Sequence, residues 1–161
     1  MKKFGWLPLG LLLSGCAMFG QKPETKLWIH EEANRTLPER HKREVTVPIS
    51  NLNLVVDPNP TLTERDITEA EIVETAGGAA ILVKFNAHGT NKLDQLTTSA
   101  RGRYIVIFLN DKPIAAWLVD RRLSLGQLLV EAQMSDDEAR RIVEALNEQA
   151  KKYQAKSTTP W

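Results

Sequence analysis

Tyr104-Ile105-Val106-Ile107-Phe108-Leu109 is the most apolar run in the body of the chain. A short apolar run rich in β-branched and aromatic residues reads as a strand, and this one reads as the central strand of the fold. Asn110-Asp111 turns it back into Ile114 to Val119, which makes a hairpin. Any fold for this chain has to be built around that pair.

The neighbouring segments supply the rest of a layer. From Glu44 to Val56 the content is β-type, with Val45, Val47, Ile49 and then Leu52, Leu54, Val56 on alternate positions. Asp57-Pro58-Asn59-Pro60 ends it, because proline cannot donate to a ladder. Thr63-Glu64-Arg65-Asp66 has the spacing of a capped helical turn. Glu69 to Thr75 reads as a strand, and Gly77-Gly78 as a tight turn into Ala79 to Asn86. In that strand Ile81, Val83 and Phe85 share a face. His88 to Ala100 reads as a helix with Leu93, Leu96 and Ala100 on one side and Gly102 beyond its end. Gln127 to Ala132 is a further strand. Ser135-Asp136-Asp137-Glu138 is a capping box that opens a helix carrying Ala139, Ile142, Val143, Leu146 and Ala150 at helical spacing. The expected fold is α+β: a single antiparallel (mixed) sheet covered by two helices, spanning residues 44–150.

The flanks read differently. Lys2 and Lys3 form a basic start, and Phe4 to Leu13 is an apolar stretch broken only by Gly5, Pro8 and Gly10. It falls well short of the ~18–20 residues that span a bilayer as a helix, so residues 1–15 read as a signal peptide. Leu13-Ser14-Gly15-Cys16 is similar to the lipobox of bacterial lipoproteins, which implies cleavage between Gly15 and Cys16 and acylation of Cys16. Lipoproteins of this kind carry three acyl chains, and stable anchoring needs more than one. Ala17 follows the cysteine where an aspartate would favour retention at the inner membrane. By that analogy the protein sits on the outer membrane facing the periplasm, with the inner membrane as the alternative. Residues 16–43 are mixed and polar. Leu27, Trp28 and Ile29 are adjacent, not spaced around a helical stripe, so the segment reads as a flexible tether. Residues 151–161 read as a polar, disordered tail.

Composition narrows the chemistry. Without Lys2 and Lys3, 19 basic residues face 20 acidic ones, so there is no case for a nucleic-acid surface. One cysteine rules out an internal disulfide and a thiolate-rich zinc site. His30, His41 and His88 read as solvated. His30-Glu31 opens like a zinc-protease motif, but Asn34 stands where the second histidine belongs. No nucleophile elbow or phosphate loop occurs. Asp136, Asp137 and Glu138 complement a helix dipole more simply than they bind a cation. No catalytic residue, metal or cofactor is expected. Trp117 followed by Arg121-Arg122 is the one candidate binding surface, an aromatic beside paired arginines. The competing reading packs Trp117 into the core and leaves both arginines solvated.

Taken in order, Thr61 to Asn147 resembles the periplasmic head subdomain of SecD, the protein-export membrane protein that works with the Sec translocon. Leu62-Thr63-Glu64-Arg65-Asp66-Ile67 looks like its LTGxDL entry. Gly78 to Asn86 looks like the GxPxVxFxL strand, and Lys92 to Thr97 like KFxxLT. Tyr104 to Ala116 looks like LAIVLDGxVxSAP, here without the proline, since Ala115-Ala116-Trp117 stands there. Gly126 to Asn147 looks like the segment ending FTxEEAxxLAxxLN. The resemblance implies the fold and a role around protein export. The partners it leads us to expect are membrane lipid through acylated Cys16 and an envelope protein or unfolded polypeptide. The alternative is a structural subunit that assembles with its own kind.

Overall fold

The central strand runs as the sequence predicts, and it is apolar throughout because both of its faces are buried. In the computed structural model, which describes residues 24–33, 38, 42–48 and 50–157, the elements run β1 (Leu27–Glu31), β2 (Arg43–Val47), β3 (Leu52–Val56), β4 (Ile67–Thr75), β5 (Gly78–Phe85), α1 (Ala87–Ser99), β6 (Tyr104–Leu109), β7 (Lys112–Leu118), β8 (Gln127–Val130) and α2 (Asp136–Ser157). Ile105 and Ile107 of β6 point into the main core, while Val106 and Phe108 point the opposite way into a second cluster. A strand covered on both sides has no polar alternation to show.

The fold is α+β with two helices, but its strands form three antiparallel sheets instead of one: β1-β6-β7, the hairpin β2-β3, and β4-β5-β8. Two physical facts divide the expected single sheet. The doubly buried β6 needs a separate layer on its back, which the β2–β3 hairpin provides through Val45, Val47, Leu54 and Val56. The hairpin strand β7 and the late strand β8 do not pair, so the two three-stranded sheets remain separate. The main core lies where those sheets meet the helices and includes Leu27, Ile29, Ile81, Val83, Leu93, Leu128 and Leu146. Each large aliphatic side chain buried there contributes about 1.5–3 kcal/mol.

Two boundaries move. The expected tether, residues 16–43, contains a buried strand: Leu27 is 3% exposed and Ile29 1%, and β1 pairs along its whole length with β6. Leu27, Trp28 and Ile29 are adjacent because alternate residues feed the two clusters, Leu27 and Ile29 one and Trp28 the other. A helical-stripe test is blind to that pattern. At the other end, the expected disordered tail is helical as far as Ser157. Tyr153 lies beneath the Arg65 guanidinium at 5.8 Å, and Gln154 Nε2 donates to Thr68 O at 3.4 Å. Both contacts hold the extra turns against the body. Gly15 and Cys16, with the rest of the expected signal peptide, lie outside the described residues.

The helix caps follow the sequence. Asn86 Oδ1 accepts from Gly89 N at 2.8 Å and Ser135 Oγ from Glu138 N at 3.2 Å, satisfying donors that a helix start leaves free. Asn147 of α2 is half-buried against β4. Its amide donates to Ala70 O and accepts from Ala70 N, both at 2.8 Å. Since Ala70 lies on β4, whose only strand partner among the described residues is β5, α2 closes the outer edge of that sheet.

Candidate binding groove

β8 is a four-residue strand at the edge of its sheet, paired only with β5 among the described residues. Leu128 and Val130 point inward, which turns Gln127 and Leu129 outward. Leu129 stands opposite Leu82 of β5 on the outer face and is 40% exposed, while Leu125 just before the strand is 84% exposed. Two of the other edges are occupied: Asn147 holds β4, and β1 is held by Ile29 N to Leu62 O (3.0 Å), Thr61 N to Ile29 O (2.8 Å) and Asp57 N to Glu31 O (2.9 Å).

A groove of about 440 Å³ runs beside β8, its lining including Leu82, Trp117, Arg121, Arg122, Leu125 and Leu129. One glycine sets the path into β8. Gly126 has φ +66°, and a Cβ there would lie 2.1 Å from Thr90 Oγ1, so only glycine lets the chain pass this close to α1 on its way into β8. Gly126 O then accepts from Phe85 N at 2.9 Å, and Leu123 N donates to Thr97 Oγ1 at 3.0 Å.

The sequence-predicted trio converges on this groove, with different roles for each member. Trp117 is half-buried, packs on the main core and lines the groove at once, so each of the two readings describes one side of the same ring. Arg121 is exposed with its guanidinium 6.0 Å from the Trp117 ring centroid. Arg122 also lines the groove, but its guanidinium is engaged by Asp94, bonding both carboxylate oxygens, with Nη2 to Oδ2 at 2.6 Å. That hydrogen-bonded guanidinium holds the Asp94 carboxyl below its ordinary value. Arg121 is therefore the groove's available cation, and Arg122 braces the loop on α1. On the same outer face Lys84 bridges Glu69 at 3.1 Å and Glu71 at 3.2 Å, giving β4 and β5 a charged surface beside the apolar one.

The exposed leucines were not singled out by the sequence pattern, since alternation in a four-residue strand marks an inward face without saying what the outward one meets. The histidines divide. His88 is exposed at the start of α1 and His41 lies outside the described residues, but His30 is fully buried on β1, contrary to the solvated reading. Among the described residues no cluster of His, Cys, Asp or Glu could hold a metal ion. Asp136, Asp137 and Glu138 sit exposed in the first turn of α2. No described helix is long and apolar enough to cross a membrane.

The family comparison covers most of the architecture: the model of the SecDF P1 head subdomain matches residues 37–150. No curated protein matches the chain significantly in sequence. Among solved structures, a membrane component SecDF that enhances protein export is similar at 19% identity and a TM-score of 0.60, over 77% of this chain and 62% of that one. SecDF in its super-membrane-facing form matches with the same identity and TM-score, over 77% of this chain but 19% of that one. The chain thus spans less than two thirds of the solved proteins it matches, and at this identity the likeness speaks for the fold. Since the head-subdomain model accounts for every element from β2 to most of α2, the chain belongs to the SecDF P1 head family.

Proposed function

We propose that this protein is a non-enzymatic, lipid-anchored envelope module that binds extended polypeptide segments along β8, as an accessory to protein export or envelope assembly. The observation that carries the proposal is the pairing of an open strand edge with an apolar groove. Exposed edges are normally blunted with charge, proline or a covering element, and β8 instead offers Leu125 and Leu129 to solvent. An added strand would gain main-chain hydrogen bonds from the edge and seat alternate side chains against Leu82, Leu129 and Trp117. Arg121 at the rim would favour segments with an acidic residue near the apolar one. Cys16 is the proposed lipid attachment, which would keep the groove at the periplasmic face of the outer membrane, or of the inner membrane as the alternative.

Two measurements test this. Binding of an unstructured, apolar-rich peptide, followed by fluorescence anisotropy, should weaken roughly 10–100-fold in Leu129→Lys, the equivalent of one large side-chain burial. Unchanged binding in that variant would remove the groove from the account. Cys16→Ser should move the protein from the membrane fraction to the soluble one, and an unchanged distribution would rule out the anchor. The open edge also supports a second reading, in which β8 pairs antiparallel with β8 of another copy. A stable dimer by native mass spectrometry, disrupted by Leu129→Lys, would favour that reading.

A further inference from the structure

His30 sits between the central sheet and the β2–β3 hairpin, fully buried, with its ring 4.6 Å from Phe108 and 6.3 Å from Trp28. Its Nδ1 lies 2.8 Å from Asp57 O. A carbonyl only accepts, so Nδ1 carries the proton and Nε2 is the bare nitrogen. Nε2 has no hydrogen-bond partner among the described residues. A proton arriving there would create a buried cation whose N–H meets no acceptor, a state that burial strongly disfavours.

The layer it sits under is thin. The hairpin β2–β3 is two-stranded and covers the back of β1-β6-β7 through one small cluster, and isolated hairpins are marginal in water. Ala33 N to Val55 O (2.7 Å), Asp57 N to Glu31 O (2.9 Å) and Arg43 Nη2 to Asp111 O (3.2 Å) join it to the sheet. The charges around the ring do not make a home for a second proton. Burial opposes it most and Arg43 on β2 repels it, which together outweigh the hydrogen bond to Asp57 O and the attraction of Asp57 after β3 and Asp111 in the β6–β7 turn, so the imidazole is held below its ordinary value. The acidic groups nearby on or beside β1 are engaged elsewhere: Glu31 by Arg103, Glu32 by Tyr104 N at 2.8 Å, and Glu64 by Trp28 Nε1 at 2.8 Å.

We propose that His30 is a proton-operated latch: protonation of Nε2 releases the β2–β3 hairpin from β1-β6-β7 and bares the apolar face formed by Tyr104, Val106 and Phe108. The direction follows from linkage. The opened state titrates near the ordinary histidine value of about 6.5 and the closed state lower, so the open form takes up the proton first and gains population as pH falls through that value. If the closed form stays neutral, opening rises about tenfold between pH 7.5 and 5.5.

Hydrogen exchange on the full chain, corrected for intrinsic rates, tests the latch. Amides of β2 and β3 should lose about tenfold protection over that interval relative to β4 and β5 in the same molecule. His30→Gln, which keeps a donor for Asp57 O but cannot titrate, should abolish the difference, and His30→Phe should do the same. Should both variants fail to fold, the imidazole ¹⁵N shifts of the wild-type protein decide. A His30 that titrates near 6.5 in the closed state overturns the proposal, as does an equal loss of protection in both hairpins.

Discussion

At Gly126 a single methyl group would meet Thr90 Oγ1 at 2.1 Å, on a backbone with φ +66°. Gly126→Ala therefore combines left-handed strain with overpacking against α1, and should cost about 2–4 kcal/mol in urea unfolding. Thr90→Ala alone should cost far less, because it removes only the obstacle and a long hydrogen bond from Thr90 Oγ1 to Phe85 O at 3.4 Å. Asn147 is decisive for a different reason. It satisfies both the N–H and the C=O of Ala70 at 2.8 Å, and Asn147→Leu would leave those edge groups facing an apolar side chain. We expect a loss of about 2–3 kcal/mol, and greater than that of Asn147→Ala, which would let water reach the two groups. An equal or smaller loss in Asn147→Leu would mean that the clamp contributes little. Trp117 and Arg121 can be separated in the same way: Arg121→Gln should weaken peptide binding while leaving stability unchanged, whereas Trp117→Ala should lower both.

Among the elements, β1 shows most clearly what the fold requires. Ile29 is 1% exposed in the main core, so Ile29→Ala should destabilise by about 2–5 kcal/mol. Removal of residues 1–33 should prevent folding, because β6 would lose the strand along one whole edge. A freely dispensable tether predicts instead that the truncated chain folds normally, and circular dichroism with urea titration distinguishes the two. The sequence made β4 to β8 and both helices legible, since each carries either alternation or helical spacing between turn residues. It hid β1 because two buried faces erase alternation, and the surrounding residues are polar enough to resemble a linker. Trp117, Arg121 and Arg122 were visible as chemistry, but Arg122's commitment to Asp94 depends on α1 lying beside the loop, a contact between residues 28 positions apart. The exposed leucines at 125 and 129 and the burial of His30 likewise follow from which strands remain unpaired and which are covered, facts of topology that no local pattern encodes.

The whole molecule divides its surfaces by task. One three-stranded sheet is closed at β4 by α2, the other is backed by a hairpin and closed at β1 by residues 57–62. β8 keeps an open edge beside its groove among the described residues, in a chain that belongs to the SecDF P1 head family. The proposed binding site and the proposed latch lie on different layers, so their failures are separable: Leu129→Lys should weaken peptide binding to the same extent at every pH, whereas His30→Gln should alter only the pH response of the hairpin. The most direct test of the central claim is hydrogen exchange of the full chain with and without a saturating apolar-rich unfolded peptide. Protection should appear at Gln127–Val130 and vanish in Leu129→Lys, and protection confined to any other strand, or none at all, would contradict it.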